Sequence, residues 1–195
     1  MTLTVDTLTT WMNKFGEKVS ENKQHLSDLD TPIGDGDHGF NMDRGMKAVN
    51  EKLAASKPQD VTAGLKTIAM ALISTVGGAS GPLYGTAFLE MAKKSSSTDD
   101  LSELLEAALA GIKMRGGAKP GDKTLVDVWE VLVPEVKNGS LDKDKIKKAV
   151  ESTKDMVAKK GRASYLGERS KGHIDPGSES SGYLFETMLE TEGLL

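Results

Sequence analysis

The chain has 195 residues, 37% hydrophobic and 28% charged, with a formal net charge of −4. That balance belongs to a folded chain rather than a disordered one, and its mild acidity argues against a general nucleic-acid binder, which carries a basic domain. Cysteine is absent, which excludes disulfides, thiolate zinc sites and cysteine nucleophiles together, and no apolar run reaches the roughly 18 residues needed to span a membrane.

In chain order, the first stripe is Leu8, Trp11, Met12, Phe15 and Val19, at helical spacing behind a cap expected at Asp6. A second, short helix is expected to end near Asp30, because Pro32 disfavours helix in the residue before it. Met42, Met46, Val49 and Leu53 give the next stripe, then Leu65, Ile68, Leu72 and Ile73, stopped by Gly77 and Gly78. Further helices are expected at about 80–93, at about 100–114, and from Leu125 over roughly 14 residues with a bend at Pro134, where the valines make a strand the rival but the length and the Asp and Glu favour helix. Another is expected at about 141–160, and a long loop over 161–177 precedes a last helix carrying Tyr183, Leu184, Met188 and Leu189. Nothing alternates at period two, so the fold class is all-α: about eight antiparallel helices in one domain, residues 1–195. The N-terminus lacks the basic-then-apolar layout of a secretory signal, which makes the cytoplasm the expected location.

Chemistry concentrates in the segment DTPIGDGDHG, Asp30 to Gly39. It satisfies G-x-G-x-x-G literally, but no strand precedes it, as a dinucleotide fingerprint requires. As an EF-hand loop starting at Asp35 it places Met46 where a bidentate Glu should stand. Aspartates crowded on a tight turn repel one another unless a cation intervenes, and oxygen-only ligands suit Mg2+. At a separation of about 4 Å, like charges cost about 4 kcal/mol per pair even at an effective dielectric of 20. Asp30, Asp35 and Asp37 therefore suit a dinuclear Mg2+ site bridged by phosphate oxygens. The helix opened by His38, Gly39, Phe40 and Asn41 offers free backbone N–H groups to a phosphate.

Two further segments are candidates for the same site. VGGASGPLYG, 76–85, permits close backbone approach, and Ser80 can bind phosphate or cap the following helix. It is not a nucleophile elbow, because Pro82 stands where glycine is needed, and no Walker A sequence exists. Between 137 and 171 there are eleven Lys or Arg against five Asp or Glu; a solvated helix face explains much of this. Arg162 and Arg169, in a loop too long for a passive connector, are candidates to face an anion.

These segments, in order, resemble the ADP-binding L subunit of bacterial dihydroxyacetone kinases of the phosphotransferase-system type. The matching pieces are 33–39 with 41–45, 76–85, 115–116 with 120–124, and 160–170 with 175–177. The resemblance implies an eight-helix antiparallel barrel with ADP (or ATP) and two Mg2+ at one end. It assigns Asp30, Asp35 and Asp37 to the metals. It sets His38, Gly39, Phe40, Asn41, Ala79 and Ser80 around the phosphates, with Gly116, Leu125, Arg169, Asp175, Pro176 and Gly177 near the nucleotide. Gly36 and Leu125 replace the alanine and methionine of some relatives, without consequence for the chemistry. It also implies two partners, a K subunit carrying dihydroxyacetone and an M subunit carrying phosphohistidine, and allows a homodimer. An ATP-exchanging kinase domain, or a divalent-ion- or lipid-binding module, are the alternatives.

Overall fold

A computed structural model describes all 195 residues as eight α-helices and two 3-10 segments, without a β-strand. The helices are α1 (Val5–Asp30), α2 (His38–Ser56), α3 (Val61–Thr75), α4 (Ser80–Lys94), α5 (Leu101–Gly116), α6 (Leu125–Lys137), α7 (Lys143–Glu151) and α8 (Pro176–Leu189). Each packs on the next, and α8 returns to α1, so the ring closes. The expected fold class holds.

A single cluster of 43 buried residues fills the interior, among them Trp11, Phe15, Tyr84, Phe88, Trp129 and Phe185. Trp129 meets Phe185 edge-on, with ring centroids 5.2 Å apart, a favourable aromatic geometry. The interior of the bundle is thus apolar. No helix is long and apolar enough to cross a membrane.

Several local expectations are corrected. The two helices expected before Pro32 are one, α1, 26 residues long. Nothing between Val19 and Leu26 breaks a helix; the run is merely polar on the outside. Its cap is Thr4, in a reciprocal box with Thr7, not Asp6. Ile73 is 43% exposed rather than part of the α3 core stripe. The helix expected over 141–160 stops at Glu151 and passes into a 3-10 turn, Ser152–Asp155. The loop expected over 161–177 contains a kinked 3-10 segment, Arg162–Ser170, and its last two residues already belong to α8. Pro134 is accommodated inside α6.

Candidate functional site

Odd-numbered helices end, and even-numbered helices begin, at one mouth of the ring. There a cavity of ≈ 420 Å³ is lined by Asp30 from the end of α1 and by Ile112, Arg115 and Gly116 from the end of α5. The first residues of α2, α4, α6 and α8 (His38, Ser80, Leu125 and Pro176) line it as well. Four helix N-termini therefore converge on one space. Each turns the positive end of its dipole toward that space, which favours anions, although the first amides of α2 are already taken by Asp30 and Ser27.

The acid cluster stands on one wall. Asp30, Asp35 and Asp37 each bring a carboxylate oxygen within 4.8 Å of the others. Asp30 sits at the C-terminus of α1, where the helix dipole disfavours a carboxylate. Burial raises its pKa, against backbone N–H donation from His38 and Asp37, and the Asp35 charge adds to the rise. Its Oδ2 accepts from the amides of Asp37 and His38 at 3.1 and 3.3 Å, which folds the turn back onto the helix end. Asp37 is the N-cap residue of α2, yet its side chain makes no capping bond, so its carboxylate stays available. Asp35 loses pKa overall. Burial pulls it up, while hydrogen bonds to Asp37 and Asp30 and the charge of Arg162 outweigh that. Three hard oxygen donors converging on one point, one of them partly desolvated, fit an Mg2+ ion.

The adjoining helix starts supply polar groups. Asn41 accepts at its amide oxygen from Arg44 Nη2 at 2.7 Å, and Arg44 is itself anchored on the Thr75 carbonyl at 3.0 Å. That leaves the amide N–H2 of Asn41 to donate at the cavity wall. Ser80 follows the α4 N-cap, which is Ala79, and its hydroxyl bonds His38 Nδ1 at 3.1 Å instead of capping the helix. His38 is buried, and burial pushes its pKa down to about 4, so its ring is neutral. Asp175 caps α8 through the Ser178 amide at 2.7 Å. Burial raises it to about 6, against the Ser178 hydrogen bonds and the Lys123 charge.

Of the residues singled out from sequence, Asp30, Asp35, Asp37, His38, Asn41, Ala79, Ser80, Gly116, Leu125, Asp175, Pro176 and Gly177 all line this cavity. Gly39, Phe40 and Arg169 are not among the lining residues. Gly39 is buried against α1, where a Cβ would meet the Lys23 carbonyl oxygen at 1.8 Å. Phe40 points outward and is 47% exposed. Arg169 is exposed at the far end of its 3-10 segment, while Arg162 reaches the site and pairs with Asp35 at 2.7 Å.

Sequence reasoning gave no role to Lys123. This lysine is buried, takes a left-handed φ of 60°, and donates from Nζ to the carbonyls of Thr153, Lys154 and His173. It ties α6 to the segment leading into α8. Arg44 was missed as well, because lone basic residues in a sequence are usually surface, whereas Lys160, a neighbour of Arg162, does line the cavity.

Comparison with known proteins places this arrangement. Residues 32–190 match the DAK2 domain. The chain is 54% identical to the ADP-binding subunit of a PTS-dependent dihydroxyacetone kinase of Lactococcus lactis, over 96% of this chain and 98% of that one. It is 39% identical to the ADP-binding subunit of the PEP-dependent dihydroxyacetone kinase of Escherichia coli, over 96% and 97%. Its fold matches the dihydroxyacetone kinase of C. freundii, crystallised with AMP-PNP and Mg2+, with a TM-score of 0.79 at 21% identity. That match covers 98% of this chain and 35% of the larger kinase.

Proposed function

Since the chain belongs to the DAK2 family, among the ADP-binding L subunits of phosphotransferase-system-dependent dihydroxyacetone kinases, we propose that it is the nucleotide carrier of such an enzyme. It holds ADP with two Mg2+ while a phosphohistidine on an M subunit rephosphorylates the nucleotide. The phosphate then passes to dihydroxyacetone held by a K subunit, giving dihydroxyacetone phosphate. The observation that carries this reading is that three clustered carboxylates and the starts of four helices line one cavity. Carboxylates alone would expel a diphosphate, and N-termini alone would need no acids. Together they fit an anion and its cations.

Mg2+, when bound, offsets the charge of carboxylates and phosphates and stabilises the developing charge of transfer. The remaining work falls to the chain. Asp30, Asp35 and Asp37 are the residues that hold the metals. Ser80, Asn41 and the N–H groups at the start of α4 orient phosphate oxygens. Leu125 and Gly116 offer apolar and backbone surface to the base side, and Asp175 to Gly177 offer polar groups to the ribose. No side chain at the site is placed as a nucleophile, and phosphoryl transfer needs none when positioning and charge are supplied.

Native mass spectrometry of the purified chain tests the reading, with ADP and two Mg2+ expected to co-purify and to survive dialysis. Rapid loss of ADP and its replacement by ATP would instead make it an ATP-exchanging domain. Asp37→Asn is expected to lower phosphate transfer in the reconstituted kinase by at least about a hundredfold with an unchanged helical spectrum. Full transfer by that variant would remove the metal assignment.

A further inference from the structure

A buried chain of hydrogen bonds runs from the core to the cavity wall. It starts at the Trp129 indole, whose Nε1 donates to Ser181 Oγ at 3.0 Å. Ser181 Oγ lies 2.8 Å from the Tyr84 hydroxyl, and that hydroxyl lies 2.8 Å from Ser180 Oγ. Ser180 Oγ is 2.9 Å from His38 Nε2, and His38 Nδ1 is 3.1 Å from Ser80 Oγ. Ser180, Ser181, Tyr84 and Trp129 are buried, so solvent does not interrupt the sequence of bonds.

The direction of this chain follows from its inner end. An indole N–H only donates. Ser181 therefore accepts from Trp129 and turns its own proton to Tyr84. Tyr84 passes its proton on, and Ser180 at 2.8 Å is better placed than the Gly177 carbonyl at 3.4 Å. Ser180 can then donate to His38 Nε2 at 2.9 Å or to the Gly177 carbonyl at 3.1 Å. The imidazole contact is the shorter of the two, and the carbonyl lies in the first turn of α8, where the helical ladder offers it a backbone donor. A neutral imidazole carries one N–H. Accepting at Nε2 places that proton on Nδ1, which donates to Ser80, and the Ser80 O–H is left to point into the cavity. The reverse polarity would turn a lone pair toward any anion there.

We propose that Trp129, Ser181, Tyr84 and Ser180 are positioning residues that, acting through His38, aim the Ser80 hydroxyl into the cavity as a donor to an anionic oxygen. This rests on the nucleotide reading for the identity of the anion, a phosphate oxygen. The polarity of the chain itself does not depend on it.

The test is the tautomer of His38, read by 15N NMR of the full chain labelled at histidine, after any co-purified nucleotide and metal have been stripped with EDTA. The wild type is expected to carry its proton on Nδ1. Tyr84→Phe, checked for folding by circular dichroism, is expected to move it to Nε2, because Ser180 then lacks a donor. A wild-type proton on Nε2 overturns the proposal, and so does a folded Tyr84→Phe chain with an unchanged tautomer. Should the variant not fold, the wild-type spectrum alone decides. In Mg-ADP titrations, Ser80→Ala and Tyr84→Phe are each expected to lose about tenfold in affinity, and the double variant no more than either. Independent, multiplying losses would overturn the coupling. A wild-type chain that binds no ADP would refute the nucleotide reading while leaving the tautomer result standing.

Discussion

Nη1 of Arg162 lies 2.7 Å from Oδ2 of Asp35. The segment between α7 and α8 thus contributes a cation to an acid cluster built between α1 and α2. Both side chains are well exposed, so the pair is worth little in stability, but it competes with any metal for the same oxygen. Arg162→Ala is expected to tighten binding of Mg2+ alone by about two- to fivefold, measured by calorimetry without nucleotide. Weaker binding would show that the arginine supports the metal site rather than competing with it.

Two glycines of the Asp30 to Gly39 segment, Gly34 in the turn and Gly39 in the first turn of α2, should respond differently to alanine. At Gly39 a Cβ would strike backbone, the Lys23 carbonyl at 1.8 Å, which cannot yield without separating α1 from α2. Gly39→Ala is expected to cost about 3 kcal/mol or more, seen as a lowered urea midpoint. At Gly34 the Cβ would meet a side-chain atom, Asp30 Oδ1 at 1.9 Å. Gly34→Ala should leave the fold within about 1 kcal/mol and displace Asp30, weakening Mg2+ binding in calorimetry. Equal destabilisation of the two variants would contradict the contrast.

Asp175 should imprint a pH dependence on stability. Its folded pKa is raised by burial to about 6, above its ordinary value of 3.8. Between those values the folded state holds more protons than the unfolded one, so this group's contribution is complete below pH 3.8 and is lost as pH rises through 6. Asn can still cap α8 but carries no charge. Relative to wild type, Asp175→Asn should therefore gain about 2–3 kcal/mol on going from pH 4 to pH 7, from urea unfolding at both. No relative gain would mean the carboxylate is satisfied as an anion.

Lys123→Met keeps most of the buried stem but removes the ammonium from three carbonyls. About 2–4 kcal/mol should be lost, with faster amide exchange concentrated in residues 153–175, observable by hydrogen–deuterium exchange mass spectrometry. Exchange rising evenly over the whole chain would point to a general rather than a local role.

The glycine-bounded turns and the aspartate cluster were legible because their chemistry is local: the atoms that explain Asp30, Asp35 and Asp37 lie within one short segment. Most apolar stripes were legible because a bundle buries one face of each helix, and Leu65, Ile68 and Leu72 are buried as spacing demands. Ile73 was misjudged because adjacent apolar residues lie a hundred degrees apart around a helix, and α3 turns only one of that pair inward. The union of the first two expected helices was hidden by the polar outer face of α1 around Asn22. Lys123, Arg44 and the buried series from Trp129 to Ser80 were not legible. Their partners lie on other helices, and a serine in a sequence gives no sign of what it will touch.

The continuity of α1 has a kinetic consequence. Asp30 rides on a stiff rod that runs unbroken for 26 residues, and the starts of α2, α4 and α6 are likewise tied to long packed cylinders. The side formed by Lys160 to Ala163 rests on short irregular turns, and it is joined to the acid cluster through the Arg162 link. Because that link is exposed to solvent, the dwell time of whatever occupies the cleft should shorten as ionic strength rises.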